Sequence, residues 1–300
     1  MKEIVIISGK GGTGKTSLTA SFAILADNPV LCDTDVDAAD LHLLIQPEIR
    51  TTAVFSGGHL AIINEDKCTA CGLCQKLCRF DAISADLQID PVNCEGCGVC
   101  VDLCPENAID FPLQKSGDWF ISDTRVGPMV HARLGIAEEN SGKLVSLIRR
   151  EARQIAEQNG HQLILTDGPP GIGCPVIASI TNSEAVVIIV EPTVSGFHDI
   201  QRVTELTNHF GIHSMLCVNR FDINIGMTEQ IETFASSNNC TVLPRIPFDP
   251  DFTKAMVAGK TLIEYASTSP TSKRIQMVWK NIVAESTKAT TPLILNKYAE

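Results

Sequence analysis

Two sets of residues in this chain have types and spacings that chemistry can use. Gly9-Lys10-Gly11-Gly12-Thr13-Gly14-Lys15-Thr16 fits the pattern G-x4-G-K-[ST], and Ser17 follows it. Such a loop turns successive backbone N–H groups toward phosphate oxygens, carries a lysine ammonium to the outer phosphates and offers a hydroxyl to Mg2+. A plain glycine-rich turn would have no reason to place Lys15 and Thr16 at these offsets. Lys10 is an extra cation, at a position that an ordinary phosphate loop leaves free. The second set is Cys68-x2-Cys71-x2-Cys74-x3-Cys78, repeated as Cys94-x2-Cys97-x2-Cys100-x3-Cys104, each run trailed by Ala-Ile. Cysteines at these intervals hold metal more readily than disulfides in a reducing compartment. Zinc and iron–sulfur clusters both use C-x2-C pairs, and both readings stand at this point.

Further polar residues fall where apolar runs end. Val30-Leu31-Cys32 leads into Asp33, Asp35 and Asp37, and Leu163-Ile164-Leu165-Thr166 leads into Asp167, Gly168 and Gly171. Acids beside a phosphate loop can hold Mg2+ or orient an attacking water, although acids in turns also serve as plain caps. Met215-Leu216-Cys217-Val218 leads into Asn219-Arg220-Phe221-Asp222. This last segment is similar to the N-K-x-D element that selects guanine.

The elements that must position these groups follow from the apolar runs. Strands are expected at Glu3–Ser8, Val30–Cys32, Leu163–Thr166, Val186–Val190, Met215–Val218 and Val242–Ile246, because short Ile/Val/Leu runs bounded by Gly, Pro and Asp read as buried, mostly parallel strands. Helices are expected at Gly14–Ala26, Lys143–Gln158, Ser195–Phe210 and Thr228–Ser237. The alternation predicts a doubly wound, mostly parallel α/β sheet. Residues 60–112 break the pattern, hold eight of the twelve cysteines and read as an inserted α+β domain, so the main domain spans 1–59 and 113–288, with a tail at 289–300. Ser272–Glu285 sets Ile275, Val278, Trp279 and Ile282 at helical spacing beside Lys273, Arg274 and Lys280. A helix packed on the domain accounts for this better than one lying on a membrane surface.

Composition narrows the class. The chain has 300 residues, 44% of them hydrophobic, with no apolar run long enough to suggest a membrane span. A net charge of −11 argues against nucleic acid as a general partner. The first residues enter an apolar strand without the succession of a secretory signal, so the expected location is the cytoplasm.

The "KGGTGKT" loop resembles the deviant Walker A loop of the MinD, ParA, Mrp and nitrogenase iron-protein group. That resemblance implies a P-loop ATPase using ATP and Mg2+, in which Lys10 crosses to a partner subunit's nucleotide and hydrolysis needs a homodimer. It implies that Asp33 contributes to the Mg2+ environment and that Asp37 orients or activates water, with Asp35 a competitor for either role, and that Asp167 is the Walker B acid. "DGPPGIG" resembles the Mrp-type switch, Asn219 stands where the group sets an asparagine against the base, and Pro247-Phe248-Asp249 resembles its base-flanking segment. Adenine is therefore favoured over guanine.

The cysteine repeat resembles a bacterial two-cluster 4Fe-4S ferredoxin. On that resemblance one cluster takes Cys68, Cys71, Cys74 and Cys104, and the other takes Cys94, Cys97, Cys100 and Cys78. Arg79 stands where the first repeat of such domains usually has proline. Cys174 lies at a place comparable to a cluster cysteine of the nitrogenase iron protein, with a small buried or interface thiol as the plain alternative. "GPMVHARLGIAEENSGKLV" resembles a segment of ferredoxin-bearing MinD-like ATPases, in which His131, Asn140, Ser141 and Lys143 face a partner or substrate, unless Asn140 or Ser141 caps the following helix. The combined expectation is a dimeric Mg-ATP-driven ATPase serving gated electron transfer or metallocofactor assembly on a client protein, itself conceivable as a related ATPase. The alternative is a MinD/ParA-like positioning or scaffold protein with sensory clusters.

Overall fold

The structure, a computed structural model, describes residues 1–135 and 142–288. The chain begins with β1 (Lys2–Ser8), α1 (Lys15–Leu25), β2 (Val30–Asp33), α2 (Leu41–Ile45) and the long β3 (Glu48–His59). A cysteine-rich stretch contains β4 (Ile62–Ile63), α3 (Leu73–Leu77), α4 (Val99–Asp102) and β5 (Ile109–Asp110). Next come β6 (Leu113–Asp123), β7 (Pro128–Leu134), α5 (Lys143–Asn159), β8 (Leu163–Pro170), α6 (Cys174–Ile180), β9 (Ala185–Val190) and α7 (Val194–His209). The last part holds β10 (His213–Val218), a 3-10 turn (Phe221–Ile223), α8 (Ile225–Ser237), β11 (Cys240–Val242), α9 (Asp251–Val257), α10 (Leu262–Tyr265) and α11 (Pro270–Lys288).

Nine strands form one sheet in the order β11-β10-β9-β1-β8-β2-β7-β6-β3. β1 pairs in parallel with both β8 and β9, and β2 in parallel with β8 and β7. The apolar runs are continuous because both faces of the central strands are buried. Ile4 and Ile6 of β1 enter one core with Phe22 and α11, while Val5 and Ile7 enter the other with Val176, Ile200 and Ile231. Strand order reverses around β1, since β2 lies to one side of it and β9 to the other. In open α/β sheets the crevice at the carboxyl ends of such strands is where ligands bind, and the phosphate loop leaves β1 at that end.

The chain divides into two compact units. One comprises residues 1–52, 119–133 and 142–288, and the other comprises residues 53–118 and 134–135. In the second unit the sequence repeat becomes a repeat of structure. α3 and α4 are each preceded by a left-handed glycine, Gly72 at φ 70° and Gly98 at φ 78°. The Ala-Ile ends also pair, Ile63 with Ile109 and Ile83 with Ile89.

Several expectations need correction. The expected strand at Val242–Ile246 ends at Val242, because Pro244 has no N–H for the ladder. Ile246 keeps only an isolated bridge to Asn219. β8 runs on past Thr166 to Pro170. β3, β6 and β7 were not anticipated: β3 reads EIRTTAVFSGGH, lies at the sheet edge and is largely exposed, so it lacks the apolar signature of its buried neighbours. The amphipathic C-terminal segment packs on the domain, where Ile275, Val278 and Ile282 are fully buried and Trp279 stacks on Phe22 with ring centroids 5.6 Å apart. The expected tail at 289–300 lies outside the described residues.

Candidate functional site

The register of β2 on β8 places Asp33 directly beside Asp167 at the carboxyl ends of their strands. Lys15, the first residue of α1, is buried against them. Its Nζ lies 3.1 Å from Asp35 Oδ2 and 3.1 Å from Asp167 Oδ1. Thr16 Oγ1 donates to Asp167 Oδ2 at 2.8 Å, and the Thr19 hydroxyl, one turn along, lies 2.9 Å from Asp167 Oδ1. Thr34 holds the Asp167 carbonyl through its N–H and its hydroxyl. Thr19 and Thr34 were not among the expected site residues, although Thr19 shares a helix face with Thr16 by its spacing.

The electrostatics follow from this packing. Burial works against the Lys15 ammonium, but the charges of Asp167, Asp35 and Asp33 outweigh it and hold the group above its ordinary range. Asp33 is pushed well above the usual carboxylate range, by burial first and then by Asp167, against the pull of Lys15. Burial also raises Asp35, again opposed by Lys15. Asp33 accepts from the Asp35 N–H at 3.2 Å through one oxygen, while its other oxygen is buried with no hydrogen-bond partner. Thr16, Asp33 and Asp167 thus offer a hydroxyl, an orphaned carboxylate oxygen and a second carboxylate, a donor set that suits Mg2+. Asp37 sits in the exposed turn beyond them, and Asp35, the competitor by sequence for either acid's role, is paired with Lys15.

The loop itself needs its glycines at three places, and the first is Gly12, which turns left-handed at φ 81°. Gly14 caps α1 at φ 86°, and a Cβ there would lie 2.5 Å from Asn219 Nδ2. A Cβ on Gly9 would lie 2.1 Å from Asp199 Cβ. Lys10 Nζ is hydrogen-bonded within its own chain to Ser195 Oγ at 2.9 Å and Thr193 Oγ1 at 3.3 Å, where Thr193 caps α7. The Ser8 hydroxyl donates to the Lys10 carbonyl. Thr193, Ser195 and Asp199 carry no motif that would have singled them out.

Beyond the loop, Asn219 Nδ2 donates to the Thr13 carbonyl at 2.8 Å and its Oδ1 accepts from the Arg220 N–H. Asn219 therefore braces the phosphate loop. Arg220 pairs with Glu191. A cleft of about 440 Å3 opens beside Gly14 and Ser17 and is walled by Pro247, Phe248, Phe252 and Met256. Arg220, Asp249 and Thr253 also line it. Phe252, Thr253 and Met256 were missed because they lie on α9, which has no signature beyond its apolar spacing.

In the second unit the cysteines gather around two cavities. Cys68, Cys71, Cys74 and Cys104 line one, with Leu73 and Ile109. Cys78, Cys94, Cys97 and Cys100 line another, with Phe80 and Phe111. Among the described residues no three His, Cys, Asp or Glu side chains are grouped as holders of a single metal ion. Burial, and then the neighbouring thiols Cys68 and Cys71, push Cys74 up, and burial with Cys94 and Cys97 does the same for Cys100.

The remaining candidates separate. His131 is buried rather than presented to a partner: its Nε2 lies 2.9 Å from Ser122 Oγ and its ring stacks on Phe120. Burial, then His42 and Arg133, lower its pKa to about 4. Asn140 and Ser141 lie outside the described residues, and the cap position of α5 is Gly142, with no side-chain hydrogen bond. Lys143 is exposed, and Cys174 is an exposed thiol at the first turn of α6.

A glycine-rich loop between a central parallel strand and a helix, with a buried lysine and strand-end acids converging on it, defines a P-loop nucleotide-binding protein of the doubly wound α/β class. Residues 4–263 match the family described as the CobQ/CobB/MinD/ParA nucleotide binding domain, and the chain belongs to that family. An uncharacterised protein of Methanocaldococcus jannaschii is 36% identical over 284 residues, covering 93% of this chain and 96% of its own. Among solved structures, the septum site-determining protein MinD complexed with Mg-ADP from Pyrococcus horikoshii matches with a TM-score of 0.58 at 14% identity, over 97% of this chain and 99% of that one. A chain of the MinC:MinD cell division protein complex of Aquifex aeolicus matches with a TM-score of 0.56 at 17% identity, over 95% of this chain and 96% of that one. At these identities the two structures share the fold. No helix among the described residues is long and apolar enough to cross a membrane.

Proposed function

We propose that this chain is a Mg2+-dependent ATPase that pairs with a second copy of itself on ATP and uses the nucleotide state to control what its cysteine-rich unit does. The observation that carries the reading is Lys15, buried between Asp35 and Asp167, with Thr16 on the same Asp167 carboxylate. A cation so placed is neutralised by acids that a phosphate can replace as its partner. Thr16, Asp33 and Asp167 would hold Mg2+, which when bound supplies charge neutralisation at the outer phosphates. The loop N–H groups from Gly9 to Ser17 cradle the phosphates, Asn219 braces the loop, and Pro247, Phe248 and Asp249 flank the base with Arg220. Asp37 orients the attacking water, and Lys10 reaches the partner's nucleotide once released from Thr193 and Ser195.

The first reading of the output is nucleotide-controlled positioning or scaffolding, by analogy with the MinD proteins that share the fold, with two 4Fe-4S clusters as sensors. A specific observation favours a second: eight thiols are sorted as two quartets around two cavities. Bound there, the clusters would supply one-electron chemistry, and the chain would gate electron transfer or assemble a metallocofactor on a client protein.

The test is nucleotide binding and hydrolysis with Mg2+ by the anaerobically purified chain, together with cluster potentials measured with and without ATP. Lys15→Ala should weaken ATP binding on the order of 100-fold, the loss of about 2.7 kcal/mol of charge-assisted contact. Unchanged binding would overturn the ATPase reading. A potential that moves with ATP supports the electron-transfer output, and one indifferent to ATP supports positioning.

A further inference from the structure

The tetrapeptide Asn219-Arg220-Phe221-Asp222 is spelled like a guanine reader, and the geometry points to a different use of its acid. A carboxylate that reads guanine accepts two hydrogens from the base edge, so it must line the base cleft with its oxygens aimed at the base rather than engaged in holding backbone. Asp222 does neither. It does not line the cleft, and its Oδ1 accepts from the backbone N–H of Phe248 at 2.7 Å. Asp249, the acid that does line the cleft, has its Oδ1 engaged by the Asp251 N–H at 2.9 Å.

The turn that carries Asp222 is built as a fixed post. Arg220 turns left-handed at φ 55°, the Phe221 N–H donates to the Ile246 carbonyl, and the Phe221 carbonyl accepts from the Thr228 hydroxyl. The guanidinium groups of Arg245 and Arg274 each lie 5.7 Å from the centre of the Phe221 ring, within the range of a cation–π contact. The segment being held is tied at its far end to α9, where the Asp249 carbonyl accepts from the Phe252 N–H and the Pro250 carbonyl from the Thr253 and Lys254 N–H groups, while the Phe248 N–H is held by Asp222. Pro247 and Pro250 bracket Phe248 and Asp249 and bring no N–H, and the Phe248 ring is 55% exposed while forming a wall of the cleft.

We propose that Asp222 is a positioning residue: its carboxylate fastens the Pro247–Pro250 segment to the post, sets the Phe248 wall of the base cleft, and leaves a site selective for adenine nucleotides. The proposal rests on the ATPase reading above and adds how the base is chosen. Adenine needs an apolar slot and carries no N1–H or 2-amino group that an acid must satisfy. Guanine bound in the same slot finds Asp222 outside the cleft and the Asp249 carboxylate already tied through Oδ1 to the Asp251 N–H, so its extra donors lose the water they had for a poorer partner.

Binding of fluorescent ATP, GTP and XTP analogues to the full chain with Mg2+, and steady-state ATP hydrolysis, test this in wild type, Asp222→Ala and Asp222→Asn. Wild type should prefer ATP over GTP by tenfold or more. Asp222→Ala should raise KM for ATP about three- to tenfold with kcat little changed, and Asp222→Asn, whose amide oxygen still accepts from Phe248, should recover most of the loss. Asp222→Asn should gain no affinity for XTP. A preference for GTP, a gain of XTP binding in Asp222→Asn, or ATP parameters unmoved in Asp222→Ala would each overturn the assignment. Failure of the ATPase reading looks different, since then neither ATP, GTP nor inorganic tripolyphosphate binds and Lys15→Ala changes nothing.

Discussion

Asp167 accepts from Thr16, lies within reach of Thr19, faces Lys15 and sits beside Asp33, so four side chains from two elements depend on one carboxylate. The arrangement brings acids together against a single lysine, which explains why burial and Asp167 drive Asp33 upward. His131 shows how burial acts on a group away from this site. Its pKa is lowered from 6.5 to about 4, so the folded chain binds fewer protons than the unfolded chain between those values. Stability from this group is fully present above about pH 6.5 and is lost as pH falls toward about 4. Denaturant midpoints for wild type and His131→Gln, compared at neutral pH and near pH 5, check it: wild type should lose more on acidification. Parallel losses in both proteins would contradict the burial account.

At the scale of elements, α11 contributes through one apolar stripe. Trp279 is 7% exposed and stacked on Phe22, while Met277, two residues earlier, is 54% exposed. Trp279→Ala should cost about 3–5 kcal/mol by transfer and cavity terms, and Met277→Ala should stay within about 0.5 kcal/mol. Equal costs by equilibrium unfolding would mean that the stripe does not face the core. The same stripe was legible in the sequence because Ile275, Val278, Trp279 and Ile282 repeat at helical spacing. β1, β8, β9 and β10 were legible because burial on both faces leaves unbroken apolar runs. β3 was not, since an exposed edge strand has no apolar face to reveal it. The phosphate loop and the cysteine repeat were legible because their chemistry needs fixed local spacing. Asp199, Thr193 and Ser195 reach the loop only through the packing of α7, which local spacing does not encode.

At the scale of the whole molecule, the cysteine-rich unit and the nucleotide-binding unit each raise a question about partners. Within the first, Cys78 lines the cavity of Cys94, Cys97 and Cys100, and Cys104 lines that of Cys68, Cys71 and Cys74. After anaerobic iron–sulfur reconstitution the wild type should hold about eight iron atoms per chain, and Cys78→Ala and Cys94→Ala about four each. The double variant should also keep about four, because the proposed assignment puts both cysteines on one cluster. A double variant with no iron would place them in different clusters.

The central claim concerns Lys10, whose ammonium is held by Thr193 and Ser195 of its own chain and is proposed to act on the nucleotide of a second. The direct measurement is the specific rate of ATP hydrolysis as a function of protein concentration, for wild type and Lys10→Ala, alongside ATP affinity. The account predicts a wild-type specific rate that climbs with concentration as dimers form, and a Lys10→Ala protein that binds ATP yet stays near the monomer rate throughout. A specific rate independent of concentration, equal with and without Lys10, would contradict it.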